Sequence, residues 1–442
     1  MKTLWKLLII FFVSCVITFP QTKTPIWAFD KTIYEVNLRQ FSEEGNFEGF
    51  RKHLPRLKEL GVGILWFMPI HPIGELNRKG SLGSYYSVKD YLDVNPEFGT
   101  LDDFKNLVNE IHSMGMYVII DWVGNHTAWD HSWTKSHPEF YNKDKDGNLI
   151  PPVDDWSDVI DLNYDNKELW REMINALKFW VAECDIDGYR CDVAGMVPTE
   201  FWIEARKELD KIKPVFMLAE WDTPEMHLAF DMTYDWNMHK TMNDVARGKK
   251  NVSDIIQHIE KDRANYPDFA FRMQFTDNHD ENSWNGTVFE RLGDAAESFA
   301  ALTFLIPDMP LIYSGQEAGL NKRLSFFEKD LIDWKEHKFF ELYKSLIELK
   351  KSNELLHCGI QGGALEFIPN NDQQNILSFV RVKDENILLA VFNLSETPSE
   401  VSLNDKRLSG KYENFFTKEN IKIDESIQIN LDKWDWKIFL KK

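Results

Sequence analysis

From residue 31 onward, short apolar segments alternate eight times with longer segments that carry apolar residues on one helical face. The strand-like segments are residues 33–41, 64–70, 117–123, 188–193, 215–221, 230–236, 271–276 and 310–313. Between and after them, Trp170, Met173, Leu177 and Val181 recur at helical spacing, as do Phe339, Leu342, Leu346 and Leu349. Each such stripe needs a sheet to cover. Strands separated by helices cannot pair as hairpins, so they form a parallel sheet, and eight such units favour closure into a (β/α)8 TIM barrel.

Two stretches depart from the alternation. A polar, proline-containing connection from about Asn125 to Asn166 replaces the helix after the third strand, which predicts an inserted subdomain over 126–166. After Ser352, strand patterns at 376–382, 387–394, 426–431 and 436–440 follow one another without helices. They predict a C-terminal all-β sandwich domain over 356–442, behind a catalytic barrel domain over 21–355. A chain of 442 residues has room for both.

The N-terminal residues 1–20 carry Lys2 and Lys6 and then an apolar run from Leu7 to Phe19, too short to span a bilayer and suited to a secretory signal peptide. Export to a periplasmic or extracellular location is expected, with no integral membrane segment after signal removal. Lipid anchoring through Cys15 is the alternative. Cys184, Cys191 and Cys358 are odd in number and lack metal-ligand spacing, so no disulfide scaffold is expected, and Cys191 reads as a small apolar side chain in a buried strand. A net charge of -20 repels phosphate backbones and argues against nucleic acid as a partner. Sixteen Trp residues permit a carbohydrate ligand without requiring one.

The candidate chemistry lies at the ends of three apolar runs. Asp192 closes Gly188-Tyr189-Arg190-Cys191, Glu220 closes Val215-Phe216-Met217-Leu218-Ala219, and Asp280 closes Phe275-Thr276-Asp277-Asn278-His279. Acids at the carboxyl ends of parallel strands are poor packing groups but well placed for barrel chemistry. Glycosidic cleavage needs two carboxyl groups in opposite protonation states. Arg190, two residues before Asp192, faces the same side of its strand and favours an ionised Asp192. The apolar run before Glu220, with negative charge nearby, favours a protonated Glu220.

Several ordered segments carry a family resemblance: residues 61–70 (GVGILWFMPI), 85–91 (YYSVKDY), 121–126 (DWVGNH), the three acid segments, and Gly315-Gln316-Glu317. Together they resemble the alpha-amylase family of glycoside hydrolases, family 13, over nearly the whole chain after the leader. The resemblance implies that Asp192 is the nucleophile, Glu220 the general acid/base, and Asp280 the acid that distorts and stabilises the sugar. It further implies that His126 and His279 bond sugar hydroxyls, that Asp121 orients Arg190, and that Tyr86 stacks on the sugar; Tyr85, its neighbour, alternates away and reads as a packing residue. Calcium is implied at Asn125 and Asp161, and no organic cofactor. The loop Asn142-Lys143-Asp144-Lys145-Asp146-Gly147-Asn148 spaces oxygens like a calcium loop, with a solvated turn as the other reading.

The implied activity is retaining hydrolysis of α-1,4-glucosidic bonds in starch, glycogen or maltooligosaccharides. One departure bears on it: many family members place a Lys-His pair on the leaving-group side, where this chain has Gly195 and Met196. That subsite therefore does not carry over, nor does an expectation of efficient internal attack on long chains; the segment around Asp161 fits neither variant that marks oligo-1,6-glucosidase-like or neopullulanase-like members, so bond preference stays open. A cyclomaltodextrinase or neopullulanase type, an α-glucan transglycosylase, a sucrose- or trehalose-directed member and a non-catalytic glycan-binding homologue remain as alternatives. The intact acids and Arg190 weigh against the last.

Overall fold

The computed structural model of the protein describes residues 24–442. The expected leader and Cys15 lie outside the described residues. Through residue 313 the strands are β1 (Ile33–Val36), β2 (Ile64–Phe67), β3 (Tyr117–Trp122), β4 (His126–Ala128), β5 (Val159–Asp161), β6 (Gly188–Cys191), β7 (Phe216–Ala219), β8 (Met232–Tyr234), β9 (Phe271–Gln274) and β10 (Met309–Tyr313). All but β4 and β5 join in one closed parallel barrel, in which β10 returns to pair with β1. Each of the eight expected strands is therefore present.

Their ends are shorter than apolarity alone predicts. The first strand stops at Val36, and Leu38–Phe41 forms a helical turn. β8 stops at Tyr234 because Asp235 turns its carboxylate onto Met238 N–H at 2.9 Å and caps the helix Trp236–Ala246.

Alternation along the strands divides the core. Ile33, Ile64, Trp66, Ile119, Phe216, Leu218, Phe271 and Met273 fill the barrel interior, whereas Tyr34, Leu65, Phe67, Val118 and Ile120 belong to the layer beneath the helices. The helix Lys167–Cys184 buries Trp170, Met173, Leu177 and Val181, the stripe that its sequence predicts, and starts where the Asn166 side chain accepts from Glu168 N–H. Gly188 is required by space: a Cβ there would lie 1.8 Å from the Phe216 carbonyl oxygen. Glycine thus lets β6 and β7 come together just below the acids they carry.

Between β3 and the helix Lys167–Cys184, the chain forms the antiparallel pair β4–β5 and two short helical turns, Trp133–Ser136 and Pro138–Phe140. Beyond the barrel come β11 (Ala364–Phe367), β12 (Ile376–Lys383), β13 (Asn386–Asn393), β14 (Ser399–Asn404), β15 (Gly410–Asn414), β16 (Asn420–Ile423), β17 (Ser426–Leu431) and β18 (Trp436–Lys441). Six of these form one antiparallel sheet, and β14 pairs with β17 in a second. Val380, Leu389, Val401, Leu403 and Ile429 fill the space between the two sheets. Leu377, Phe379, Leu388 and Phe392, on the opposite face of the large sheet, join the core of the barrel domain.

Candidate active site

The inward-facing positions nearest the carboxyl ends of the barrel strands are polar. Glu35 follows Ile33 on the inner face of β1, Asp121 follows Ile119 on β3, and Arg190 follows Gly188 on β6. Asp121 and Arg190 are register partners, so pairing of β3 with β6 already brings their charges together. Both are fully buried.

Arg190 holds three acids. Its Nη1 donates to Asp121 Oδ1 at 2.8 Å and to Asp192 Oδ1 at 3.0 Å, while Nη2 lies 2.8 Å from Glu220 Oε1. Its Nε donates to Tyr234 Oη at 3.2 Å. The expected pairings of Arg190 with Asp192 and with Asp121 are both present, and Glu220 joins them: one guanidinium is shared by three carboxylates. A single positive charge does not offset their loss of hydration. Burial pushes Asp192 up to about 6 against the pull of Arg190, and pushes Glu220 up to about 8 with Asp192 and Asp280 adding to the rise. Asp121 is likewise raised to about 6, chiefly by burial. The order between the two candidate reacting groups is the one a glycosidase needs, Asp192 ionising before Glu220.

The peptide after Asp192 joins the site. Val193 adopts a left-handed conformation, φ 36° and ψ 46°, which is strained for a β-branched residue. In this conformation its N–H donates to Glu220 Oε2 at 2.8 Å, tying the two acid-bearing segments together.

On the other side of the cleft, His279 accepts two negative neighbours. Burial alone would lower its pKa, but Asp280, with Oδ2 3.4 Å from Nε2, and Glu35, with Oε1 2.5 Å from Nδ1, raise it to about 9. The imidazolium donates from Nε2 to Tyr86 Oη at 2.8 Å, and Tyr86 donates onward to Asp121 Oδ2 at 3.0 Å. His126 has no such partner, and burial lowers it to about 4, leaving a neutral ring. Tyr85 points away, donates to Asn37 Oδ1 at 3.0 Å and stacks under Arg39. Asp192, Glu220, Asp280, His126, His279 and Tyr86 line one cleft of about 610 Å³, and Asp121 and Arg190 brace it from below.

Sequence reasoning did not single out Glu35, Tyr234, Val193 or the aromatic wall of Trp156, Trp284, Phe326 and Phe327 that faces the same cleft. Glu35 carried a signal, as the lone acid in the apolar run Ile33–Val36. Trp284 rides on the π-helical turn Glu281–Asn285 directly after Asp280, a geometry that sequence periodicity does not reveal.

The calcium expectation meets a thin donor set. Asp161 Oδ2 already accepts from Asn142 Nδ2 at 2.6 Å, and the Asn125 amide nitrogen lies 3.4 Å from His126 Nδ1. One carboxylate and one amide fall well short of the six to eight oxygens calcium takes, so these residues do not fit an all-protein calcium site. In the loop 142–148, Asp144 Oδ1 accepts from the backbone N–H groups of Asp146 and Asn148 at 2.9 and 2.8 Å, which makes it a turn. Among the described residues, the His/Asp/Glu/Cys group close enough to share an ion is Asp235, His258 and Asp262, on the outer side of the barrel. There Arg272 Nε already pairs with Asp262 at 2.9 Å as the counter-ion.

Sequence comparison leads to the same family. The alpha-amylase catalytic-domain model matches residues 19–148 and 154–338, and that of the maltogenic amylase C-terminal domain matches 365–438. The structure of a noncanonic maltogenic alpha-amylase from Thermotoga neapolitana is 32% identical, with a TM-score of 0.86 over 93% of this chain and 98% of that one. An alpha-amylase from Lactobacillus plantarum is 33% identical, with a TM-score of 0.84 over 93% and 99% of the two chains. Alpha-amylase 3 of Dictyoglomus thermophilum is 26% identical over 90% of this chain and 92% of its own length. With this barrel, this C-terminal sheet module and these matches, the chain belongs to the alpha-amylase family of glycoside hydrolases and is an enzyme of that type.

Proposed function

We propose that the protein hydrolyses α-1,4-glucosidic bonds of starch, glycogen or maltooligosaccharides with retention of configuration, using Asp192 as nucleophile and Glu220 as acid and base. The observation that carries this is the Arg190 bridge. A retaining pair stands about 5 Å apart and an inverting pair roughly 6.5–9.5 Å. Two acids held on the terminal nitrogens of one guanidinium, at 3.0 and 2.8 Å, support the closer class.

In the first step the Asp192 carboxylate attacks the anomeric carbon as Glu220 gives its proton to the departing glycosidic oxygen. A bond from Asp192 to carbon forms, the bond to the leaving sugar breaks, and Glu220 is left ionised. In the second step a water gives its proton to Glu220, its oxygen bonds the same carbon, and Asp192 is released. His279, held as a cation, and neutral His126 present donors to ring hydroxyls, and Tyr86 supplies an apolar face. Asp280, 37% exposed at its side chain and in reach of His279, is free to bond hydroxyls of the distorted sugar.

The choice of glucan rests on the relatives' names, which include maltogenic amylases and a cyclomaltodextrinase. The test is chromatography of products from starch, maltoheptaose, pullulan and β-cyclodextrin, with the anomer released followed by NMR. Initial release of the α-anomer from α-1,4 substrates is expected, and Asp192→Asn should abolish it while leaving the fold intact. Release of the β-anomer, or turnover by Asp192→Asn, would sink the assignment. Export is part of the same proposal. It is supported by Lys2, Lys6 and the apolar run that ends where the family match begins, and N-terminal sequencing of protein from a fractionated culture tests it. Among the described residues, no helix is long and apolar enough to cross a membrane.

A further inference from the structure

We propose that the cleft is closed at the end away from Glu220, so that the enzyme works from the non-reducing ends of its glucan and cuts off a short product of fixed length, and that Lys79 is the latch that keeps this end shut. The proposal rests on the reading of Asp192 and Glu220 as the cleaving pair and says which part of a glucan that pair can reach.

The barrel order fixes which end is closed. β6 and β7, which lead to Asp192 and Glu220, stand side by side, and β2, β1 and β10 lie across the barrel from them. Glu220 protonates the departing oxygen, so the leaving chain lies on the β7 side. The sugar captured by Asp192 points the other way, toward β1, and whatever is joined to its O4 continues toward the loops that follow β2 and β10.

Those two loops meet, and the inserted segment joins them. Lys79, Asp155, Asp158 and Phe327 line the same cleft as the acids. Lys79 Nζ donates to the Asp155 carbonyl at 2.6 Å and lies 3.2 Å from Asp158 Oδ1. Gly80, in the left-handed region at φ 66°, sits against the loop after β10 so closely that a Cβ would lie 2.4 Å from Phe327 Cβ. Next to it, Leu82 N–H donates to the Phe327 carbonyl at 3.1 Å and Ser81 N–H to Glu328 Oε1 at 2.8 Å. Gln40 Nε2 fixes the loop after β10 from behind, donating to the Ser325 and Glu328 carbonyls at 2.9 and 2.8 Å. At the other end of the β2 loop, a Cβ on Gly74 would lie 2.4 Å from the Ala128 Cβ of β4. A collar thus runs from the inserted segment through the β2 loop to the loop after β10. An open-ended cleft lets a long chain lie through it and be cut anywhere, whereas a collared one admits only the sugars that fit between collar and acids. Across the cleft mouth the collar is fastened to residues 155–158 by the reach of one side chain, and Asp158, only 6% exposed, is buried beneath that ammonium.

The test compares maltoheptaose with the same chain carrying a 4,6-O-ethylidene cap on its non-reducing glucose, each followed by chromatography at early times. The measured quantity is the ratio of kcat/KM for free over capped chain, which is independent of how much of each variant folds. Wild type should favour the free chain about a hundredfold, the scale on which a close-fitting site rejects added carbon, and should release one product length from the first turnovers. Lys79→Ala should lower that preference about tenfold, the scale of one partly buried ion pair, and should mix the product lengths. Lys79→Arg, which keeps the ion pair, should retain both. Equal use of free and capped chains by wild type overturns the closed end, and an unchanged preference in Lys79→Ala overturns the latch. A wild-type enzyme that cuts neither chain would instead overturn the cleaving-pair reading, and this proposal with it.

Discussion

Two buried arginines in this barrel each face three aspartate or glutamate side chains, yet the two clusters are opposites. Arg190, inside the barrel mouth, meets Asp121, Asp192 and Glu220. Arg272, facing outward from β9, meets Asp222 at 2.5 Å, Asp262 at 2.9 Å and Asp235 at 3.5 Å, and stacks 3.9 Å over the Tyr266 ring. Around Arg272 the charges are answered. His258 lies 2.9 Å from Asp235, Gln274 donates to it at 3.0 Å, and Met238 N–H caps it. Burial would raise Asp235, but Arg272 and His258 outweigh that and hold it at about 2, while burial, with the charge of Asp235 beside it, raises Asp262 to about 6. Around Arg190, among the described residues, no second cation reaches Glu220, and all three acids are raised. A structural cluster satisfies its acids, whereas a reactive one leaves them short of charge and hydrogen bonds so that a proton stays available.

The largest effect that would break this contrast comes from removing each arginine. Arg190→Met should cut kcat/KM at least about a thousandfold, because the nucleophile loses the charge that keeps it ionised. Arg272→Met should instead cost about 3–5 kcal/mol of stability in denaturant melts, with kcat/KM per folded molecule retained. If Arg272→Met proved the more damaging to kcat/KM, the assignment of roles would be reversed.

Neutralising single acids comes next. A carboxyl whose pKa is raised on folding penalises the native state at every pH above its unfolded value of about 4.3, so Glu220→Gln should raise stability at pH 7 by about 1–2 kcal/mol. A depressed carboxyl stabilises above about 3.9, and that contribution is lost as pH falls through about 2, so Asp235→Asn should lower stability at pH 7 by about 2 kcal/mol. Thermal melts at pH 7 should therefore move in opposite directions. Equal signs would erase the distinction between the clusters.

The pH profile sharpens it further. Activity requires Asp192 ionised and Glu220 protonated, so kcat/KM should rise as pH climbs through about 6 and fall through about 8, both limbs belonging to the coupled pair. Neither limb should move in Asp235→Asn. The smallest effect concerns Val193: Val193→Gly relieves the left-handed strain and should add about 0.5–1 kcal/mol in thermal melts. A loss of stability there would mean that side-chain packing at Val193 outweighs its backbone strain.

Much of the barrel was legible because its strands are buried on both faces and read as continuous apolar runs. The C-terminal strands divide by the same physics. β12, β13, β17 and β18 were readable, whereas β11 and β14–β16 were passed over, for residues such as Lys411 and Glu413 in β15 face water and break the run. At the site, acids following apolar runs announced themselves. The sharing of Arg190 with Glu220 did not, since it depends on β7 lying beside β6 and on a turn at Val193 that no residue type encodes.

The two-faced burial of β12 has a consequence for how the polypeptide can be divided. Leu377 and Phe379 press against the barrel domain while Ile376 and Val380 press against the small sheet, and Arg381 donates from Nη1 to the Leu305 carbonyl at 2.9 Å. Cutting the chain near residue 355 would strip an apolar sheet from the barrel and leave the Leu305 carbonyl without its donor. The module behaves as a keystone more than an appendage: melting should be a single transition across both parts, and shortened versions would be prone to clump through the face laid bare.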